Sequence, residues 1–142
     1  MKVVLDTNTI ISGLFWRSNP HRILELIREQ QLTGYTSQAL LDELLDVLRR
    51  PKFSTKLTSI GTTPQEIVED IEALLVSIQV VTVEPVIVTD SDDDEVLACA
   101  KTAGADCIVS GDRDLLGLQI YEGIPILSAT ELLSRWNNRS FH

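Results

Sequence analysis

Short strand-like runs of β-branched and aliphatic residues alternate with longer amphipathic stretches, and this alternation restricts the possible folds more than any other feature. The strand-like runs lie at residues 3–5, 34–36, 80–83, 86–88, 107–109 and 125–127. Apolar residues recur at helical spacing in the stretches 19–31, 37–50, 63–77, 91–103 and 128–136. Because strands separated by helices pair in parallel, the sequence predicts an α/β fold with a central, mostly parallel, twisted sheet.

The size of the chain suits one compact domain. It has 142 residues, of which 44% are hydrophobic, and it contains no evident repeat or low-complexity segment. We expect one domain at residues 1–136 and a flexible tail at residues 137–142. Residues 52–62 are mostly polar and show no periodicity, so we expect a mobile loop there.

Targeting signals and reactive cysteines are not apparent in the sequence. No run of about 18 apolar residues occurs, and the first acidic residue, Asp6, comes too early for a signal peptide. The two cysteines, Cys99 and Cys107, stand in apolar surroundings at a spacing that matches neither a zinc motif nor a redox motif. These observations predict a cytoplasmic protein with buried thiols and no membrane partner.

A protein that binds nucleic acid by charge alone is normally basic, whereas this chain has a net charge of −9. The acidic residues, however, are not evenly spread. Asp6 and Asp112 each follow a predicted strand, and the carboxyl ends of parallel strands meet at one edge of a sheet. Asp94 lies in the first turn of a predicted helix, and Glu43 lies on the helix that begins after Ser37. We expect these four carboxylates to converge on one cleft.

The segment 90–95 is the most acidic part of the chain, with five acids among its six residues. Carboxylates about 4 Å apart repel by roughly 4 kcal/mol at an effective dielectric constant of 20. A solvated helix start, where the helix dipole favours negative charge, explains any one of these acids, but it explains the acids of all four sites together less well. Oxygen donors without a histidine or cysteine cluster suit Mg²⁺ or Mn²⁺ better than zinc, and the two histidines are far apart in sequence, at positions 21 and 142. The pattern indicates a site for one or two Mg²⁺ or Mn²⁺ ions.

Two other acidic motifs fit less well. A calcium-binding loop that starts at Asp90 requires glycine at its sixth position and glutamate at its twelfth, where the chain has Glu95 and Lys101. A phosphatase of the haloacid dehalogenase family needs a second acid two residues after its nucleophile, but Asn8 follows Asp6 at that distance. The calcium loop is excluded, and the phosphatase is the weaker alternative.

Four motifs, in the same order along the chain, resemble those of the PIN-domain nucleases, and together they cover nearly the whole sequence. They are residues 3–8 with Asp6, residues 40–44 with Glu43, residues 94–100 with Asp94, and residues 109–116 with Asp112. The resemblance implies a PIN-like three-layer α/β/α fold in which these four acids are catalytic and bind the metal. Asp93 and Asp114 are neighbouring acids that would assist.

The same resemblance implies a metal-dependent endoribonuclease that leaves a 5′-phosphate and a 3′-hydroxyl. Residues 49–52 and 103–112 resemble the branch that supplies the toxins of toxin–antitoxin pairs, which implies an antitoxin partner and a homodimer. Polar residues beside the acids would orient ligands or substrate: Thr7, Asn8, Ser37 and Ser110.

A single-stranded or structured RNA is the substrate that the resemblance implies. The basic residues that we expect to contact it are Arg17, Arg49, Arg50, Lys52 and Arg113. Trp16 offers a surface for base stacking, although Phe15-Trp16 fits a contact between copies or a core contact equally well. The alternative is a non-catalytic PIN-fold protein that binds RNA in a regulatory role. Acids at all four motif positions argue against that alternative.

Overall fold

The computed structural model describes residues 1–80 and 91–138, which form six strands and eight helices. The strands are β1 (Lys2–Leu5), β2 (Thr33–Ser37), β3 (Val76–Ile78), β4 (Cys107–Val109), β5 (Ile120–Tyr121) and β6 (Ile124–Leu127). The helices are α1 (Thr7–Phe15), α2 (Asn19–Arg28), α3 (Gln38–Leu48), α4 (Pro51–Ser59), α5 (Pro64–Leu74), α6 (Ser91–Ala103), α7 (Arg113–Leu118) and α8 (Ala129–Asn138).

The six strands form one sheet in the order β3-β2-β1-β4-β6-β5. Every pairing is parallel except that of the edge strand β5 with β6. In the centre of the sheet, Leu5 at the end of β1 pairs with Val109 at the end of β4. The register therefore brings the residues that follow these two strands, Asp6 and Ser110, to the same edge.

Both faces of the sheet are covered, as the alternation of side chains in the central strands shows. Val3 and Leu5 of β1 pack in a cluster with helices α1, α2, α3, α5 and α8, whereas Val4 packs in a second cluster with α6 and α7. In β4, Val109 belongs to the first cluster and Ile108 to the second. A strand that is buried on both faces has a continuous run of apolar residues in its sequence. The predicted three-layer α/β/α architecture is confirmed.

One predicted loop is wrong. Residues 52–62 were expected to be mobile, but residues 51–59 form helix α4, with Pro51 in its first turn. Leu57 is the only residue of α4 with a buried side chain, at 1% exposure. Phe53 and Leu57 do stand at helical spacing, but α4 is only nine residues long and mostly polar, and so short a pattern was interpreted as a loop.

Other boundaries differ by a few residues. The helix predicted over residues 63–77 ends at Leu74, because Leu75 is already extended and the chain continues into β3. The strands predicted at residues 80–83 and 86–88 lie outside the described residues, apart from Val80, which is not in a strand. Helix α8 includes residues 137 and 138, which were expected in the tail. No described helix combines the length and apolarity needed to span a membrane.

Candidate functional site

Asp6 stands at the junction of β1 and α1 and serves as the N-cap of the helix. Its Oδ1 accepts a hydrogen bond of 2.8 Å from the Thr9 amide, because the first amides of a helix have no partner within it. The Ser110 hydroxyl donates to the other oxygen, Oδ2, at 2.5 Å. Both bonds are buried, and the residue is only 5% exposed. These two hydrogen bonds therefore hold the Asp6 carboxylate in one orientation at the edge of the sheet.

Ser110 connects the ends of the two central strands. While its hydroxyl donates to Asp6, the same oxygen accepts a hydrogen bond of 2.9 Å from the Asp112 amide. The residue is 1% exposed, and its own amide donates to Leu127 of β6 at 2.9 Å. Ser110 thus sets the position of the Asp6 carboxylate relative to the backbone that carries Asp112.

Asp112 is the N-cap of the short helix α7. Its Oδ1 accepts hydrogen bonds from the amides of Asp114 at 2.7 Å and Leu115 at 3.3 Å. Asp93 of α6 approaches from another layer, and one carboxylate oxygen from each of Asp93, Asp112 and Asp114 lies within 4.8 Å of the other two. Asp93 is buried, Asp112 is half-buried and Asp114 is exposed. Three negative charges therefore share a small volume at the edge of the sheet.

A narrow cleft of about 40 Å³ lies among these acids. It is lined by Asp6, Thr7, Asn8, Glu43, Asp93, Val96 and Asp112. The four acids of this lining come from four different elements, namely the ends of β1 and β4 and helices α3 and α6. The convergence that was expected from the strand ends is thus present for three of the four acids that the sequence singled out.

The exception is Asp94, which is half-buried next to Asp93 and is not among the described residues that line the cleft. Asp93 shares a face of α6 with Val96, three residues on, because residues at i and i+3 lie on one side of a helix. The sequence held a signal for this choice. Residues seven positions apart lie on nearly the same face of a helix. The residue seven positions after Asp93 is the apolar Ala100, which indicates an inward face, whereas the residue seven positions after Asp94 is Lys101.

The polar residues predicted beside the acids are divided between two places. Thr7, Asn8 and Ser110 lie at the acidic cleft or bond directly to its residues. Ser37 is buried and caps α3, accepting a hydrogen bond of 3.4 Å from the Leu40 amide, and it lines a separate pocket of about 180 Å³. Its observed contact is therefore with the backbone of a helix.

Burial raises the pKa of Asp6 above its usual value of 3.8, and the charge of Asp112 raises it further. The hydrogen bonds from Ser110 and Thr9 act in the opposite direction. A cation in the cleft would offset the cost of burying this charge. The donors around the cleft are carboxylate oxygens, and no histidine or cysteine belongs to the three-acid group in the described parts of the chain, which fits Mg²⁺ or Mn²⁺.

The cysteines lie apart from this chemistry. Both are buried free thiols, as expected, and burial raises the pKa of each to about 12. The nearby carboxylates of Glu95 and Asp106 raise the pKa of Cys99 and Cys107, respectively, in the same direction. Since the thiolate is the reactive form, neither residue is a nucleophile at neutral pH.

A larger groove of about 580 Å³ opens beside the acidic cleft and shares Asn8 and Asp112 with it. Hydroxyl and amide groups are prominent in its lining, which is Asn8, Thr9, Ser12, Pro20, Ser110, Gly111, Asp112, Arg113, Asp114, Ser128 and Ala129. The first turns of α1 and α8 face this groove. Helix N-termini favour negative charge, and here carboxylates already occupy both, Asp6 at α1 and Glu131 at α8.

The predicted RNA-contacting residues are spread over the surface. Arg113 lines the groove, and Arg17 lines a second surface pocket of about 460 Å³. Arg50 lies 3.9 Å from the carboxylate of Asp46, and Arg49 and Lys52 are exposed. Arg113 is thus the one of the five predicted basic residues that the structure brings to the groove.

The sequence matches a family model described as PIN domain over residues 2–114, a range that includes every acid of the site. It is also 31% identical, over 124 residues, to an uncharacterized protein from Methanocaldococcus jannaschii. That alignment covers 84% of this chain and 76% of the archaeal protein. The chain therefore belongs to the PIN-domain family, whose members are generally nucleases that use divalent metal ions.

Proposed function

We propose that the protein is an endoribonuclease that hydrolyses RNA phosphodiester bonds with Mg²⁺ or Mn²⁺. The observation that carries this proposal is the convergence of Asp6, Glu43, Asp93 and Asp112 on one cleft from four separate elements. Acids at a solvated surface have no reason to meet in this way, because their mutual repulsion destabilises the folded state. Asp114 borders the same group.

Asp6 and Asp112 are each fixed by hydrogen bonds to backbone amides, and Glu43 reaches the cleft on a longer side chain from α3. Asp94 remains in the proposal as the acid next to Asp93. A bound Mg²⁺ or Mn²⁺ would polarise the scissile phosphate, lower the pKa of a bound water and stabilise the leaving 3′ oxygen.

The groove beside the cleft supplies the binding site for the RNA strand. Its hydroxyl groups suit phosphate oxygens, and Arg113 adds a positive charge next to the acids. In the reaction, water attacks the phosphorus and the bond to the 3′ oxygen breaks. The products are then a 5′-phosphate and a 3′-hydroxyl, as the family resemblance implies.

The finer parts of the proposal follow from the resemblance to the toxin branch. They are a toxin role, an antitoxin partner and a homodimer, and the cytoplasmic location follows from the lack of a signal peptide motif and from the cysteine usage. Induced expression of the intact chain should arrest growth, and expression of the Asp6→Asn variant at the same level should not. Growth arrest by both variants alike would remove the toxin role and leave the nuclease proposal standing.

The nuclease proposal is tested with a labelled single-stranded RNA and millimolar Mn²⁺. We expect the intact protein to cut the RNA, a chelator to stop the reaction, and Asp6→Asn to reduce the rate by at least about 100-fold, since it removes a ligand. The asparagine still caps α1, so the fold should persist. Asp70→Asn, which changes an exposed acid of α5, is the matched control and should cut at the normal rate.

Three outcomes would contradict the proposal. Cleavage that survives in both Asp6→Asn and Asp93→Asn would show that the cleft is not the active site. Release of phosphate from a monoester, with the RNA left intact, would favour the phosphatase alternative. RNA binding without cleavage at any metal concentration would favour the non-catalytic alternative.

A further inference from the structure

Three aromatic rings and two lysines form a cluster at the junction of α1 and α4, which we call the α1–α4 cluster: Phe15, Trp16, Lys52, Phe53 and Lys56. The rings of Phe15 and Phe53 are stacked with centroids 5.4 Å apart, and Trp16 meets Phe15 edge-on at 5.9 Å. Trp16 is 51% exposed. Phe15 and Phe53 are half-buried against the core, so the aromatic surface that the cluster offers is chiefly the indole of Trp16.

The two lysines are held over these rings. The Nζ of Lys56 lies 4.9 Å from the centroid of Phe15 and 5.2 Å from that of Trp16. The Nζ of Lys52 lies 5.2 Å from the centroid of Phe53. Neither lysine forms an ion pair with a carboxylate in the described parts of the chain. Positive charge and exposed aromatic surface therefore coincide.

The charge distribution makes this region exceptional in an acidic protein. The stretches 7–24 and 47–65 contain none of the 21 acidic residues, yet they contain six of the 12 lysines and arginines: Arg17, Arg22, Arg49, Arg50, Lys52 and Lys56. Two of the six are near acids outside the stretches, Arg22 with Glu29 and Arg50 with Asp46. Phe15 stacks on Phe53, so the cluster lies where two stretches without acidic residues meet.

Helix α1 connects the cluster to the acidic cleft. The helix starts after Asp6, ends at Phe15 and contains nine residues, which corresponds to about 13 Å. Asn8 and Ser12 line the groove, and Phe15 and Trp16 follow Ser12 at the spacing of neighbours on one helix face. At a rise of about 3.4 Å per stacked nucleotide, the distance corresponds to roughly four nucleotides.

We propose that the α1–α4 cluster binds unpaired bases of the single-stranded RNA whose backbone enters the acidic cleft, an inference that rests on the proposed function. A base stacks on the exposed indole of Trp16, and Lys52 and Lys56 contact the flanking phosphates. Stacking on aromatic side chains requires an unpaired base and tolerates any sequence. The cluster therefore selects single-stranded substrates and leaves double-stranded RNA to bind weakly.

A second copy of the chain is a less suitable occupant. In a two-fold symmetric contact the same patch meets itself, so lysines of one copy would face lysines of the other. An RNA strand brings the opposite charge. Charge complementarity thus favours the nucleic acid.

The experiment measures the affinity of the full chain for a labelled single-stranded RNA by fluorescence anisotropy, with a chelator present so that cleavage plays no part. We expect Trp16→Ala to raise the Kd about tenfold and Trp16→Phe to restore most of the affinity. The association constant falls as the salt concentration rises. Replacing Lys52 and Lys56 with glutamine should make the slope of log K against log salt concentration less steep, by about 0.7 for each phosphate that the variant no longer neutralises. Affinity for a duplex should change little in Trp16→Ala.

Lys2→Gln is the matched control, because Lys2 also lies over an aromatic ring, that of Tyr35 at 5.8 Å, but at the amino end of β1. It should leave the Kd unchanged. An unchanged Kd in Trp16→Ala would overturn the inference, as would a change in oligomeric state without a change in RNA affinity. If the protein cleaves RNA but gives either of these two results, the nuclease proposal stands and only the inference about the cluster fails. If the cluster binds RNA but the protein cuts none, the nuclease proposal fails.

Discussion

Single residues at the edge of the sheet combine structural and chemical tasks. Asp6 ends β1, caps α1 and lines the acidic cleft. Ser110 joins Asp6 to the backbone at Asp112 through one hydroxyl group. Both hydrogen bonds of the Ser110 hydroxyl lie within or at the edge of the core. This hydroxyl should therefore contribute to the stability of the fold and to the position of the acids.

Ser110→Ala tests that dual role. The change leaves a buried oxygen of Asp6 and the amide of Asp112 without their partner, so we expect the free energy of unfolding to fall by about 1–3 kcal/mol. Denaturant titration measures this loss, and the rate of Mn²⁺-dependent RNA cleavage should fall as well. Ser134→Ala, at an exposed position of α8, serves as the control and should behave as the intact chain does. Equal stability of the two variants would show that the hydroxyl does not link the strands.

The neighbouring acids Asp93 and Asp94 allow a comparison of two positions that the sequence alone hardly distinguishes. Asp93 is 6% exposed and lines the cleft, whereas Asp94 is half-buried beside it. We expect Asp93→Asn to reduce RNA cleavage by at least about 100-fold, because it removes a metal ligand, and Asp94→Asn to have a much smaller effect. Cleavage rates with Mn²⁺ measure both. If Asp94→Asn reduced the cleavage rate more than Asp93→Asn, the metal ligand would be Asp94 and not Asp93.

At the scale of elements, close packing of α1 against α2 positions the N-terminus of α1 at the cleft. Gly13 allows this contact, since a Cβ atom there would lie 2.7 Å from the Leu24 side chain and 2.9 Å from the backbone oxygen of Pro20. The side chain of His21 completes the contact, with its Nδ1 2.9 Å from the Gly13 oxygen. The two helices therefore pack as a unit.

Overpacking in Gly13→Ala should cost about 1–3 kcal/mol, because backbone atoms cannot move aside for the new methyl group. Alanine also brings up to about 1 kcal/mol of helix stability, so we expect a net fall in the free energy of unfolding smaller than the overpacking cost. Denaturant titration gives the net value. Gly117→Ala is the matched control, since nothing lies within 4 Å of a Cβ at that position of α7. A stabilised Gly13→Ala variant would mean that the helices are free to separate.

The same elements show what the sequence could and could not predict. The helices that begin after Ser37, Thr63 and Ser128 were predicted from their caps, and each cap forms its expected hydrogen bond. Helices α1 and α7 were missed, because Asp6 and Asp112 were interpreted only as strand ends although each also caps a helix. The position of a cap fixes one end of a helix, but only tertiary packing decides whether a short helix follows it.

The candidate site was predictable to a similar degree. Asp6 and Asp112 follow from the general rule that the ends of parallel strands gather at one edge. Glu43 depended on the family resemblance, and it does line the cleft. The choice between Asp93 and Asp94 depends on how α6 is rotated against the sheet, which the acids themselves do not reveal and which only the apolar Ala100 further along the helix indicates.

At the scale of the whole molecule, the fold separates charges that the composition reports as a single excess of −9. The acids of the cleft lie at the carboxyl edge of the sheet, and the lysines of the α1–α4 cluster lie at the far end of α1. In the proposed complex, an anionic strand contacts the lysines of the cluster while its scissile bond meets the acids. A divalent ion bound in the cleft would make that approach favourable by neutralising the carboxylates.

The most direct test of this account is a calorimetric titration of Mn²⁺ into the metal-free chain. The account expects saturable binding of one or two ions, weakened at least about tenfold in Asp6→Asn and Asp93→Asn and unchanged in Asp70→Asn. Heats that are the same for the intact chain and all three variants would contradict it, since the carboxylates would then form no metal centre.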